Sequence, residues 1–234
     1  MSDPLLHELH RRFDHAALKP DVTAADIGRL CAEARAHEFC GVAVNPVWIP
    51  LCGDHLRGTG VKVIGVAAFP LGANRTDVKV EEAVKGAADG AREIDLVANI
   101  GWLVEGRCAD VAREISAVRR ALPYNVLLKV IIEAGLLPAS RWAEAAQAVI
   151  DGGAQFVKTG TGFFGGATVE QVRALSRAAG GRIEVKASGG IRTLADARAM
   201  LAAGASRLGS SASVAIMREL ASPEPGGDTA AGSH

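Results

Sequence analysis

The sequence has no surplus of charge: lysine plus arginine total 26, and so do aspartate plus glutamate. A balance near zero removes the broad positive field of a nucleic-acid-binding chain, so any anion site has to be local. Long apolar runs are lacking as well. VKVIGVAAFPLGA is among the longest, and it is too short and too interrupted to span a bilayer. The opening stretch MSDPLLHELHRRFDH has no apolar segment, so no signal peptide is expected and a cytoplasmic location is. Cysteine is sparse: Cys31, Cys40, Cys52 and Cys108, with no CxxC pair. These are expected to be reduced thiols rather than a disulfide frame. Histidine forms no HExxH motif, and His7 and His10 fall near the N-terminus in a stretch that reads as a surface helix. No metal site is therefore expected.

What the sequence does have is rhythm. Hydrophobic residues make up 49% of 234, enough for a sizeable core. Short β-branched runs alternate with alanine-rich amphipathic stretches. Strands are expected at 12–15, 41–45, 61–68, 93–98, 126–132, 155–159, 182–187 and 207–210. Helices are expected at 23–37, 79–89, 108–121, 139–151, 168–179 and 193–203. Thr23, Ser140, Thr168 and Thr193 read as helix N-caps, and Gly41, Gly90, Gly152, Gly180 and Gly204 as helix exits. AADGAREIDLV, VIDGGAQFVKT and MLAAGASRLGS repeat one unit, a helix exit followed at once by a buried strand. Eight such units in one α/β domain predict a (β/α)8 TIM barrel over residues 1–220, rather than a doubly wound sheet. The tail 221–234, ASPEPGGDTAAGSH, is expected to be disordered.

Barrels of this kind place their working groups at the C-terminal ends of the strands. The polar candidates there are Asp14, Asn45, Asp95, Lys129, Glu133, Lys158, Thr159, Lys186, Ser188 and Ser210. Two of them are lysines in matching settings, Lys158 in FVKTGTG and Lys186 in EVKASGG, on neighbouring strands. Adjacent strands lie about 4.8 Å apart, so two inward ammonium groups would crowd each other. Crowding and burial both disfavour protonation, and a neutral amine can attack a carbonyl. Asp95 in EIDLV would then be a counter-ion or a proton carrier. If it points inward, alternation brings Glu93 and Val97 inward too. Spacing leaves another reading open, in which the lysines are independent and pair with carboxylates such as Glu184 or Asp95.

Three strand ends carry small, glycine-rich loops: TGTGFFGGAT, SGGIRT and GSSAS, spanning 159–168, 188–193 and 209–213. Loops of this kind after the last strands of a barrel often build a phosphate site from free backbone N–H groups; the alternative is that the glycines only serve tight turns between strand and helix. Arg192 or Arg207 could add charge there, unless they are surface residues.

The ordered segments FDHAALKPDVT, GVAVNPVWIP, VIGVAAFPLGANRTDVKVEEA, GAREIDLVANIGWL, LLKVIIEAGLL, GAQFVKTGTGFFGGATVE, VKASGGIRT and GASRLGSSAS, from Phe13 to about Ile216, resemble the deoxyribose-phosphate aldolases. These are the class I (Schiff-base) aldolases of deoxynucleoside catabolism. The resemblance implies that Lys158 forms the Schiff base, that Lys186 lowers its pKa, and that Asp95 works with a water in proton transfer. It implies phosphate contacts at Gly162, Gly189, Gly190 and Ser211, and a substrate-pocket role for Thr161. It further implies a phosphorylated sugar and acetaldehyde as partners, a homodimer, and no cofactor. Competing readings are a Schiff-base barrel with another phosphorylated substrate, or a non-catalytic sugar-phosphate binder. The chain departs from the common family pattern at Gly160, where a serine is usual, and at Ala16 and Ala17, where Thr-Leu is. Ala43 stands where some members carry cysteine. In the last loop Ala212 replaces a serine for which Ser213 is expected to compensate. These differences bear on substrate fit and phosphate affinity rather than on reaction type.

Overall fold

Eight parallel strands close into a barrel in chain order, in a computed structural model that describes residues 6–222. They are β1 (Phe13–Ala17), β2 (Gly41–Val44), β3 (Lys62–Ala67), β4 (Glu93–Val97), β5 (Leu127–Ile131), β6 (Phe156–Lys158), β7 (Glu184–Ser188) and β8 (Arg207–Ser210), with β8 pairing back onto β1. The helices around them are α1 (Ala24–Ala36), α2 (Ile49–His55), α3 (Thr76–Ala88), α4 (Ile100–Val104), α5 (Cys108–Ala121), α6 (Trp142–Asp151), α7 (Val169–Ala179), α8 (Leu194–Ala202) and α9 (Ser213–Ala221). The architecture is the expected (β/α)8 barrel. Among the described residues no helix is long and apolar enough to cross a membrane, and all four cysteines are free thiols. The expected tail overlaps the end of α9, and from residue 223 onward it lies outside the described residues.

Strand alternation divides the side chains into two populations. Ile94 and Leu96 of β4, Leu128 and Val130 of β5, and Val157 of β6 join the apolar layer between sheet and helices. Their sequence neighbours Glu93, Asp95, Lys129 and Lys158 point the other way and meet inside the barrel. A strand buried on both faces normally reads as a continuous apolar run. Here every second residue of the inner set is free to be polar.

Several boundaries differ from expectation, each for a local reason. Strand β7 starts at Glu184 rather than Arg182, because Arg182 instead donates to the carbonyls of Ala178 and Ala179 at the end of α7. Helix α3 begins at Thr76, three residues before Lys79, with Asp77 in its first turn. Ser140 does not cap α6; residues 139–141 form a turn of 3-10 helix and Arg141 holds the N-cap position. Thr23, Thr168 and Thr193 do cap, each in a reciprocal pair with the residue three places on. Gly41 opens β2 instead of closing a helix, since α1 already ends at Ala36 with His37 as its C-cap. After α6 the left-handed turn falls on Gly153 (φ 80°), and Gly152 stays helical (φ −74°). His10 sits in a short 3-10 turn, not an α-helix.

One buried ion pair ties the helical layer to the end of β4. Lys79 Nζ donates to Glu114 Oε2 at 2.9 Å and to the Val97 carbonyl at 2.9 Å. Glu114 Oε2 also accepts the Asn99 N–H at 3.0 Å. Burial lowers the pKa of Lys79, and only Glu114 opposes that shift. Glu114→Ala should therefore leave an uncompensated ammonium and cost about 3–5 kcal/mol in urea unfolding. Replacing the pair together, Lys79→Met with Glu114→Leu, should recover part of that loss.

Candidate active site

The inner faces of six strands bring seven ionisable groups to the middle of the barrel. Lys158 is the last residue of β6, and it pairs in register with Lys186 of β7. Both face inward and both reach the same atom: Asp95 Oδ2 lies 2.9 Å from Lys158 Nζ and 2.7 Å from Lys186 Nζ. The two nitrogens can be no farther apart than the sum of those distances. The other Asp95 oxygen, Oδ1, accepts from Lys129 Nζ at 2.8 Å. Lys129 also meets Glu93 Oε2 at 2.5 Å, and Lys186 meets Asp14 Oδ2 at 2.5 Å. Arg207 closes the network from below, at 2.8 Å from Asp14 and 3.2 Å from Glu93.

The pairing and crowding readings of the lysines thus describe one arrangement: they share a carboxylate and crowd each other across it. Glu184 takes no part; it accepts from Ser206 at the exposed N-terminal end of the strand. Three carboxylates (Asp14, Glu93, Asp95) face four cationic side chains (Lys129, Lys158, Lys186, Arg207), so full protonation would leave one excess positive charge.

At Lys158 burial prevails over compensation. Desolvation is the largest influence on it, Asp95 opposes that, Lys186 adds to it, and the pKa comes down to about 8. The like-charge neighbour is thus a secondary cause, behind burial, rather than the leading one that the paired-lysine pattern suggests. Lys129 ends on the other side. Burial pulls it down, but Asp95, Asp14 and Glu93 together outweigh burial and hold it above the usual lysine value. Burial would raise Asp95, yet Lys129, Lys158 and Lys186 keep it well below the ordinary carboxylate range. The group with the weakest hold on its proton is also one that borders open space.

That space is a cleft of about 680 Å³ at the C-terminal ends of the strands. Lys158, Lys186, Thr161, Gly162, Gly189, Gly190 and Ser211, all expected site residues, line it. Asp95 does not; it is fully buried beneath the two lysines. Gly162, Gly189 and Gly190 hold positive φ of 86°, 91° and 74°. A Cβ on Gly189 would fall 2.9 Å from the Gly165 carbonyl, so the β6 and β7 loops pack backbone against backbone and only glycine fits between them.

Several expectations change on contact with the geometry. Arg207 is neither a surface residue nor a phosphate contact, because Asp14 and Glu93 hold it inside the barrel; Arg192 is the arginine on the cleft wall. Ser213 does not compensate for Ala212: it is fully buried and donates its hydroxyl to the Ser210 carbonyl. Thr161 is not a free hydroxyl, since its N–H and O–H both donate to Glu133 Oε2, at 2.9 and 2.6 Å. At Gly160 a Cβ would come within 2.5 Å of Glu133 Oε1, so a serine there requires that carboxylate to shift. Lys129 and Glu133 appear among the polar strand ends, but spacing alone gave them no role. For Lys129 the signal was available in LLKVII, where an inward position shares a level with Asp95.

Comparison with known proteins follows the same lines. A family model described as DeoC/LacD family aldolase matches residues 10–218. The chain is 44% identical over 218 residues to deoxyribose-phosphate aldolase 1 of Bacillus licheniformis, covering 93% of this chain and 98% of that one. It is 48% identical over 206 residues to the deoxyribose-phosphate aldolase of Deinococcus radiodurans, covering 88% and 93%. Among solved structures, the tetrameric deoxyribose phosphate aldolase of Aeropyrum pernix superposes with a TM-score of 0.85 at 31% identity, over 93% of this chain and 97% of that one.

Removing Asp95 tests the network. Asp95→Ala should cost about 3–5 kcal/mol of stability in urea unfolding, because buried lysines lose their shared partner. Nitrogen-15 NMR should show Lys158 titrating below its wild-type value of about 8, since Asp95 is the strongest influence raising it. An upward shift would contradict this balance.

Proposed function

The chain belongs to the DeoC/LacD family of aldolases, and on that basis we propose that it reversibly cleaves 2-deoxy-D-ribose 5-phosphate to D-glyceraldehyde 3-phosphate and acetaldehyde through a Schiff base on Lys158. One observation carries the assignment: a buried lysine with a pKa of about 8 stands at the floor of an open cleft, on a carboxylate it shares with a second lysine. Roughly one Lys158 in ten is then neutral at pH 7, against fewer than one in a thousand for an ordinary lysine.

In the cleavage direction, neutral Lys158 Nζ adds to C1 of the open-chain aldehyde and water leaves. The protonated imine draws in the electrons of the C2–C3 bond. As that bond breaks, the C3 hydroxyl gives up its proton and C3 becomes the carbonyl carbon of glyceraldehyde 3-phosphate. The enamine left on Lys158 is protonated at C2, and hydrolysis frees acetaldehyde. Asp95 acts with a water in moving the C3 proton. It lies under the cleft floor, covered by Lys158 and Lys186, so the water carries the proton across that layer. The phosphate rests on the backbone of Gly162, Gly189 and Gly190 and on Ser211, with Thr161 fixed in the pocket wall by Glu133.

The mechanism needs no metal or organic cofactor, since the iminium itself is the electron sink. The same reading carries a cytoplasmic, self-associating enzyme. A homodimer is the proposed assembly, and the tetrameric relative supports self-association within the family.

Borohydride reduction with acetaldehyde present should fix a two-carbon adduct on Lys158, located by mass spectrometry, and Lys158→Leu should abolish it. Labelling that persists elsewhere would overturn the assignment. Condensation should proceed with acetaldehyde as donor and not with dihydroxyacetone phosphate.

The pH profile adds a second test. Lys158 must lose its proton to react, so kcat/KM should rise with pH through about 8. Lys186→Leu removes a charge that disfavours protonation, so the rise should move to higher pH. Burial remains the larger influence, so the limb should stay below that of an ordinary lysine.

A further inference from the structure

Buried polar atoms normally have a hydrogen-bond partner, and an exception calls for a reason. Among the described residues three buried side-chain atoms lack one: Asp14 Oδ2, His15 Nδ1 and Ser188 Oγ. Asp14 Oδ2 still has an ion contact with Lys186. The other nitrogen of His15 faces Glu33 of α1, away from the cleft. Ser188 is different, because it is only 5% exposed and yet lines the cleft.

Its surroundings are built rather than accidental. Ser188 follows Lys186 by two residues on β7, so it shares the inward face and stands about 6.6 Å nearer the cleft mouth. Its backbone is pinned from both sides by one hydroxyl: its N–H donates to Thr159 Oγ1 at 3.0 Å, and its carbonyl accepts from that oxygen at 3.2 Å. The paired residue across the barrel wall is Gly209. A Cβ there would lie 2.2 Å from Ser188 Oγ and 3.2 Å from Lys186 Cε. The hydroxyl therefore hangs above the lysine side chain, in space that Gly209 leaves vacant. The next two residues, Gly189 and Gly190, belong to the phosphate loop.

A substrate held by an imine at Lys158 and by a phosphate at Gly189 and Gly190 must lay its middle carbons past Ser188. We propose that Ser188 is a specificity-determining residue that hydrogen-bonds the C4 hydroxyl of the sugar phosphate, which is the C2 hydroxyl of the aldehyde product. This rests on the aldolase reading and deepens it. The pinned backbone fixes Cβ; the hydroxyl, enclosed where it lies against Gly209, turns about χ1 into the cleft, and the ligand supplies the partner that the protein does not.

The test uses two acceptors in acetaldehyde condensation: D-glyceraldehyde 3-phosphate, and 3-oxopropyl phosphate, which differs only in lacking that hydroxyl. The wild-type enzyme should favour the hydroxylated acceptor in kcat/KM by about tenfold or more. In Ser188→Ala the ratio should fall toward unity. The thermal midpoint should hold or rise, because the substitution deletes an unsatisfied buried hydroxyl. An unchanged ratio in Ser188→Ala beside an active wild type would overturn the assignment alone. So would a several-degree fall in the midpoint with equal losses on both acceptors, which is the signature of a structural role. A wild-type protein that condenses neither acceptor would overturn the aldolase reading and this assignment with it.

Discussion

Four cationic side chains are closed into the barrel with three carboxylates, and the rest of the site follows from that imbalance. A closed interior with little water cannot hold an uncompensated charge cheaply. The excess proton is held most loosely by whichever group has the least compensation, and that group's pKa falls. Lys129 is surrounded by acids, and Arg207 keeps its charge at any ordinary pH. Lys158 has one shared carboxylate oxygen and open space on its other side. The molecule thus needs no separate base to leave Lys158 partly neutral. It needs burial first, then a counting mismatch and a geometry that assigns the shortfall to one residue.

The fold supplies that geometry through the period of the strand. Glu93 and Asp95, Lys186 and Ser188, Arg207 and Gly209 are each two apart, so each pair faces inward at successive levels. Arg207 and Glu93 form the lower tier, the lysines and Asp95 stand above them, and Asp14 links the two, with one oxygen on Arg207 and the other on Lys186 at the cleft wall. Ser188 and Gly209 border the cleft. The glycine loops then take over where the ladder ends. Charge, hydroxyl and backbone N–H are stacked in the order in which an aldehyde, a carbon chain and a phosphate would meet them.

Much of this was legible in the sequence, though not evenly. The barrel could be read because helix exits and strands recur at close spacing. The lysine pair could be read because FVK and EVK occupy equivalent places on neighbouring strands. The causes were harder to read. Like-charge crowding was visible as a motif, but burial, the larger influence on Lys158, depends on everything packed around it. Arg207 shows the same limit. An arginine opening a strand beside a serine-rich loop suggests a phosphate contact, and only the closure of β8 onto β1 brings Asp14 within its reach. Ser213 looked like a spare hydroxyl until the first turn of α9 buried it. Local pattern located the groups, and long-range closure decided what each one touches.

The enclosure of the charged network has an effect outside the chemistry. Mobile ions screen charges they can approach, and several of these groups are shut away from solvent altogether. Dissolved salt should leave the acidity of Lys158 nearly untouched, while weakening the hold on an anion proposed for the outer loops. With no net field to draw that anion in from a distance, capture happens only on arrival at the mouth. The enzyme would then respond to ionic strength at its entrance and ignore it at its heart.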